Sequence, residues 1–468
     1  MELSVNDVDL SDDQADKLVG VEERTMNHEH DPNPRQTLSM TVKLEKTAAS
    51  LNTETFEILP KLILGGDTPF NQTKGDIELG LSLGSGGMGQ VHVATQVAMK
   101  REVAVKRSHA AIGVGPSFGS VVAEGRRFGR LDHPNIPPVH MIGRDDQHHA
   151  VLVMKRIEGD NWRSVLDNPD HPRWSKVNES RTVHSLRILI QVCHAVEHAH
   201  SRELLHRDIK TDNIMVGDFG QVYLIDWGVS VDLRDPNQRL STSNFIGTPC
   251  LAAPEMAVPN SSLSPAVDIF LLGGVLYELL TKRVPHTGTT IPEVLKNIRQ
   301  PAHLVFNSDT PPALEAICRK ALAHNPKDRY ANASDFRAAI ELYLRHRFIL
   351  GHLKRAQDTL EEMRQINSAG KMDVDSSSHM MNISHKCRFA LESVIENGVE
   401  VAKATRLLVE CLGIQIEYST ASGELRVARI LMSQLNKMVG AHDPLFTELS
   451  NQIALAAKAK SQPGKKPS

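Results

Sequence analysis

From about residue 75 to 155, short runs of apolar residues alternate with polar ones. "IELGLSLG", "QVHVATQV" and "EVAVKRS" are β-rich and separated by glycine or charge, a pattern that predicts strands. A helical pattern, "VVAEGRRFGRL", interrupts them before "HAVLVMKRI" returns to strand. From 180 to 350 the period lengthens. In "HSLRILIQVCHAVEHAH", Leu186, Ile190, Cys193 and Val196 share one face, as a helix of 3.6 residues per turn places them. A β-rich part followed by a helix-rich part predicts two lobes with a cleft between them. Beyond 348, Ile349, Leu353, Ala356, Leu360 and Met363 recur every three or four positions, and so do Leu425, Ala428, Met432, Leu435 and Val439. Both sets predict amphipathic helices. "SAGKMDVDSSSH", from Ser368, reads as a linker between helices.

Composition adds limits to this picture. A chain of 468 residues has room for two or three domains. Residues 1–31 hold ten acids and two bases with weak apolar periodicity, which predicts a disordered acidic arm over residues 1–70. The net charge of −3 gives no global field towards nucleic acid or an acidic membrane surface. Five singly scattered cysteines predict a reducing compartment and no disulfide framework. No basic start is followed by an apolar run, and the longest apolar stretch, "IFLLGGVLYELL", is interrupted by Glu278 and too short to span a bilayer. The expected protein is cytoplasmic, without a membrane anchor. The end, "KAKSQPGKKPS", is expected to fray over residues 461–468.

Candidate chemistry sits at the junctions of these elements. In "LGSGGMGQVHVA", Gly84, Gly86 and Gly89 have G-x-G-x-x-G spacing, which lets backbone N–H groups approach an anion. The flanks read as strand on both sides, which favours a strand–loop–strand cover over phosphates against a dinucleotide-binding turn. Fifteen residues past Val91, "VAVK" puts Lys106 on a strand face shared with Ala104. Eighteen residues further, Glu124 can orient that amine by an ion pair. "HRDIKTDNIMVGDFGQVYLIDWG", residues 206–228, sets Asp208, Lys210, Asn213 and Asp226 on two neighbouring loops. Phosphoryl transfer needs a group that positions the nucleophile, oxygen ligands for magnesium, and cations on the phosphates. Asp208, the pair Asn213 and Asp226, and Lys210 supply those types, since magnesium prefers hard oxygen ligands. His194 and His198 are four apart on a helix, but no acidic ligand motif joins them and they are not read as a metal site.

The order GxGxxGxV, VAVK, Glu, HRDxKxxN, D-x-G and APE resembles the eukaryotic-like (Hanks-type) protein kinases, and most nearly the bacterial serine/threonine kinases. The likeness covers roughly residues 76–347 and continues through "GTPCLAAPEM", "AVDIFLLGGVLYELLT" and "ALAHNPKDRYANASDF". It implies an α+β, bilobal protein-kinase fold, with the β-rich lobe over 76–157 and the helical lobe over 158–347. A helical C-terminal extension would follow over 348–460. The resemblance also implies ATP and Mg2+ as cofactors and transfer of the γ-phosphoryl group to Ser or Thr of protein substrates, including the chain itself. No nucleic-acid partner is implied.

Carried over position by position, Asp208 resembles the catalytic base, with Lys210 beside it. Asn213 and Asp226 resemble the magnesium ligands. Leu83, Gly84, Ser85, Gly86, Gly87, Met88, Gly89, Gln90 and Val91 would form the phosphate-covering loop. Lys106 would hold the α/β-phosphates with Glu124 as its partner, while Val91, Ala104 and Met215 enclose adenine. Met154 would be the gatekeeper before a hinge at Lys155 to Ile157. Glu255 and Arg329 resemble a buried ion pair under the acceptor platform, which includes Thr248, and Asp268 would hold the catalytic-loop backbone. Three positions depart from the pattern: Trp227 stands for phenylalanine, Leu251-Ala252 for Tyr-Met, and Lys155 for a commonly acidic residue. Ser241, Thr242 and Ser243 are candidate phosphosites. A non-catalytic scaffold and a small-molecule kinase are the rival readings. The C-terminal helices resemble no named module; packing on the large lobe, homodimerisation and partner recruitment stay open.

Overall fold

The structure, a computed structural model, describes residues 59–65, 75–236, 238, 240, 245–370 and 373–461. Most of the acidic arm, and Ser241, Thr242 and Ser243, lie outside the described residues. The described chain falls into two compact units divided between Glu341 and Leu342.

The first unit begins with strands β1 (Leu64–Gly65), β2 (Ile77–Ser85), β3 (Gly89–Gln96) and β4 (Arg101–Ala111), then helix α1 (Pro116–Phe128). Strands β5 (Val139–Arg144) and β6 (His149–Lys155) complete a six-stranded sheet of order β1-β2-β3-β4-β6-β5. Alternation decides which residue faces where. Val103 and Val105 of β4 enter a small core with Leu62, Ile77, Ala94, Val151 and Val153, while Ala104 and Lys106 take the other face.

The arm is expected to reach residue 70, but residues 59–65 are β structure that closes this lobe. Leu62 N–H donates to Arg144 O at 2.8 Å and Arg144 N–H to Pro60 O at 2.9 Å, while β1 pairs in parallel with β2. One segment thus bridges both edges of the sheet, which removes exposed strand edges. Gly143 permits the approach, because a Cβ there would stand 2.5 Å from Pro60 O. Leu62 is 4% exposed. Leu62→Ala is therefore expected to destabilise the lobe by about 2–5 kcal/mol, measured as a shift in the denaturant midpoint. An unchanged midpoint would show that the clasp contributes nothing.

The helical lobe follows. Short strands β7 (Asp160–Asn161), β8 (Leu204–Leu205), β9 (Ile214–Val216), β10 (Val222–Leu224) and β11 (Val231–Asp232) carry the cleft-facing loops. Helices α2 (Trp162–Asp167), α3 (Arg181–Ser201), α4 (Ala266–Thr281), α5 (Ile291–Ile298) and α6 (Pro312–Ala321) surround them. Helix α3 starts at Ser180, whose hydroxyl accepts from Val183 N–H at 3.3 Å, so one orphan donor of the first turn is satisfied. Helix α4 is the stretch "IFLLGGVLYELL" in context, buried along nearly its whole length. It is a core helix, and among the described residues no helix is long and apolar enough to cross a membrane. The two lobes are tied where Asn135 Nδ2 donates to Val222 O at 2.9 Å and Leu224 N–H donates to Asn135 O at 2.8 Å.

Helix α7 (Ala333–Ala369) runs through the division between the units, so Arg347, where the family likeness ends, lies inside a continuous helix. The second unit continues with α8 (Val374–Glu396), α9 (Val401–Ala421), α10 (Leu425–Val439) and α11 (Pro444–Ser461). Ile349, Leu353, Ala356, Leu360 and Met363 pack with α8 and α9 in one cluster, and Ala428, Met432 and Leu435 in another. The linker expected from Ser368 to His379 is shorter than its polar composition suggests. Asp373 caps α8 by accepting from Ser376 N–H at 2.6 Å, so Val374 onward is helical. All five cysteines are unpaired.

Candidate active site

The glycine run closes a hairpin between β2 and β3. Gly84 stands opposite Val91 and Ser85 opposite Gln90, and Gly86 N–H donates to Gly89 O at 2.9 Å. Gly89 is required sterically, because a Cβ there would stand 2.3 Å from Arg107 O. Leu83 is exposed beside the loop and Ala104 is buried beneath the sheet.

Lys106 is 9% exposed and faces helix α1. Its ammonium lies 2.9 Å from Glu124 Oε1 and 2.6 Å from Oε2, and 3.9 Å from Asp226 Oδ1. Burial alone would lower the lysine pKa. The Glu124 and Asp226 carboxylates outweigh it and raise the value, so the amine stays charged. Helix α1 is held in register with the segment after Asp226 by Arg127, which donates to Ser230 Oγ at 2.9 Å, and by Arg130, 2.6 Å from Asp232.

The facing wall is the loop from His206 to Asn213. Asp268, fully buried in α4, receives Arg207 N–H and His206 N–H, each at 2.9 Å, and lies 2.8 Å from His200 Nε2. Burial would raise this carboxyl, but the His200 contact and the Arg207 N–H lower it, so it remains an ionised anchor. The anchor stabilises Arg207 at φ +68°, a left-handed conformation that a non-glycine residue keeps only when its surroundings impose it. Asp208 N–H donates to His206 Nδ1 at 3.2 Å, which puts the ring proton on Nε2, 3.1 Å from Ile225 O. Burial lowers the His206 pKa and keeps the ring in this neutral, two-ended role.

Asp208 is surrounded by donors. Lys210 Nζ is 2.9 Å from Asp208 Oδ2, and Thr248 Oγ1 donates to Asp208 Oδ1 at 2.7 Å. Lys210 also donates to Thr248 Oγ1 at 2.7 Å. Asn213 Nδ2 donates to Asp208 O and Oδ2 at 2.8 and 3.0 Å, leaving its amide oxygen as the atom available to a cation. Asp226, at φ +60°, accepts from Gly228 N–H at 3.4 Å. Partial desolvation pushes its carboxyl up, and Lys106, the Gly228 N–H and Lys210 together hold it below the usual range. Trp227 continues the chain as a buried bulky side chain, stacked on Phe128 at 6.1 Å and edge-on to His206 at 4.6 Å. A ring larger than phenylalanine is thus accommodated.

Among the described residues no three His, Cys, Asp or Glu side chains converge on a metal-sized site. Asn213 and Asp226 supply two oxygens, a set that suits an ion completing its shell with phosphate and water. His198 stacks on His133 at 5.3 Å and serves packing. Beside Lys210 and Thr248 a cavity of about 530 Å³ opens, lined also by Cys250, Glu278 and Arg283. Arg329 and Glu255 meet in a double contact of 2.7 and 2.9 Å. The loop brings Thr248 into direct contact with Asp208, and the His200 clamp on Asp268 carries no motif signal at all.

The chain belongs to the protein kinase domain family: the family model matches residues 77–349, more than half its length. A probable serine/threonine-protein kinase of Corynebacterium efficiens is 32% identical over 283 residues, 58% of this chain and 41% of the relative. The serine/threonine-protein kinase PknB of Mycolicibacterium smegmatis is 32% identical over 273 residues, 56% and 42% of the two chains. PknD of Chlamydia caviae is 30% identical over 285 residues, 56% and 30%. The chain spans between 30% and 42% of the length of these relatives.

Proposed function

We propose that the chain is a serine/threonine protein kinase that transfers the γ-phosphoryl group of Mg-ATP to protein hydroxyls. The observation that carries this reading is the charged Lys106, paired with Glu124 and 3.9 Å from Asp226, in the lobe that faces the Asp208–Lys210–Thr248 network. The nucleotide lies under the Gly84–Gly89 hairpin, its adenine between Val91, Ala104 and Met215, with Met154 at the back. Lys106 binds α- and β-phosphate oxygens. Asn213 and Asp226 would hold magnesium, which would neutralise charge on the phosphates. Asp208 accepts the proton of the acceptor hydroxyl, and Lys210 faces the transferred group. The acceptor enters from the cavity beside Thr248. The Glu255–Arg329 support of that segment favours a protein over a small-molecule acceptor, and the unpaired cysteines favour a reducing, cytoplasmic setting. The test is incubation of the purified chain with labelled ATP, magnesium and a protein acceptor mixture. Phosphoserine and phosphothreonine are expected; no transfer, or phosphotyrosine alone, would overturn the assignment.

Control is proposed to run through Arg207. Among the described residues its buried Nε has no hydrogen-bond partner. Burial pushes its pKa down to about 10, with Asp268 opposing and the like charge of Arg127 adding to the shift. A buried, electrostatically strained cation is stabilised by an added anion, and a phosphate brings roughly −1.5 to −2 charges. Phosphorylation among Ser241, Thr242 and Ser243 is expected to supply it. The triple alanine variant is expected to lose activity several-fold. Full activity of that variant, from protein that mass spectrometry shows to be unphosphorylated, would exclude this route.

A further inference from the structure

The hinge side of the cleft carries a side-chain tie that no motif accounts for. Lys155 is the last residue of β6, opposite Val103 of β4. Its ammonium donates to Tyr223 Oη at 2.7 Å and lies 4.9 Å from the centroid of the same ring. Tyr223 is the central residue of β10 and 7% exposed. Directly across the hairpin from it stands Met215, and residues opposed in an antiparallel pair share one face. A single contact therefore joins the N-lobe strand that leads into the hinge to the C-lobe hairpin that carries Met215.

We propose that Lys155 and Tyr223 form an inter-lobe strut that sets the width of the nucleotide slot, which makes Lys155 a positioning residue. The inference rests on the nucleotide reading given above. The strut combines a hydrogen bond from a charged donor with a cation–π contact, and both strengthen as water is removed. Of the other ties between the lobes, Asn135 to Val222, Arg127 to Ser230 and Arg130 to Asp232 start from helix α1 or the segment that follows it, and Lys106 to Asp226 starts from β4. A tie at the pivot acts on lobe opening without touching the groups around Asp208. Breaking it lowers the fraction of molecules with a formed slot, and apparent nucleotide affinity falls by that fraction. Transfer from the bound state is left nearly unchanged, because Lys106, Asp208 and Lys210 are held by other contacts.

The test is calorimetric titration of Mg-ATP into the purified full chain, paired with steady-state transfer to a protein acceptor. Lys155→Met removes both parts of the contact. Its Kd and KM for ATP are expected to rise about tenfold with kcat within about twofold of the parent. Tyr223→Phe keeps the ring and loses only the acceptor oxygen, with an expected rise of about threefold. Lys155→Arg keeps a cation and donors and is expected to recover most of the affinity. The double variant is expected to match Lys155→Met alone, because the two side chains act through one contact. A lysine with a merely structural role would lower Tm and leave Kd untouched. Native Kd in folded Lys155→Met, native Kd in the nearly isosteric Tyr223→Phe, or additive losses in the double variant would each overturn the strut. A parent chain that binds no nucleotide would overturn the strut and the proposed function together. A parent that binds while its variants bind equally well would overturn the strut alone.

Discussion

Asp208→Asn is expected to slow phosphoryl transfer by about 10²–10⁴ while leaving the fold intact, the usual cost of losing a positioned base. The substitution is nearly isosteric, but it keeps only one of the two oxygens, which Thr248 and Lys210 contact separately at 2.7 and 2.9 Å. What it removes is the negative charge that accepts a proton. Lys106→Ala is expected to cost a similar factor by a different route. It deletes the cation offered to the phosphates and leaves Glu124, 2% exposed, without its partner. Its nucleotide affinity is expected to fall as well, whereas Asp208→Asn is expected to bind Mg-ATP normally. Single-turnover transfer to a protein acceptor, read beside nucleotide titration, separates the two effects. Near-native transfer by both variants would mean that the chemistry lies elsewhere.

Arg329→Ala is expected to destabilise the first unit by about 3–5 kcal/mol, the range for removing one partner of a buried ion pair. The Arg329 side chain has no solvent exposure and that of Glu255 only 8%. Besides its two contacts to Glu255, Arg329 donates to the carbonyls of Ala323, Ala266 and His324 at 2.7, 2.8 and 3.0 Å. Its guanidinium also lies 4.9 Å from the Phe270 ring centroid. Truncation strands a buried carboxylate and three acceptors at once. Arg329→Lys is expected to rescue little, because an ammonium cannot reproduce the planar fork. Denaturant unfolding of both variants decides. A loss below about 1 kcal/mol would place the pair among those that contribute little net stability.

The groups around the candidate site were legible because their spacing is local. Asp208, Lys210 and Asn213 lie within six consecutive residues, so any fold that orders that loop brings them together. Lys106 was placed by strand alternation, and Glu124 by the helical pattern that follows. The polar linker from Ser368 is shorter than its composition predicts, because composition does not show where a cap such as Asp373 starts a helix.

The alternation of apolar and polar residues determined two lobes, and the order of short motifs determined the family. Tertiary structure alone decided which distant groups meet. Residues 59–65 become a clasp only where β2 and β5 present open edges. Helix α7 continues through the end of the family likeness because nothing in "LRHRFILGHLKRAQ" interrupts helical geometry there. His200 reaches Asp268 across 68 residues of chain, and Lys155 reaches Tyr223 across another 68. Local periodicity reports the face on which a side chain stands. It carries no information about the partner that chain folding brings to that face.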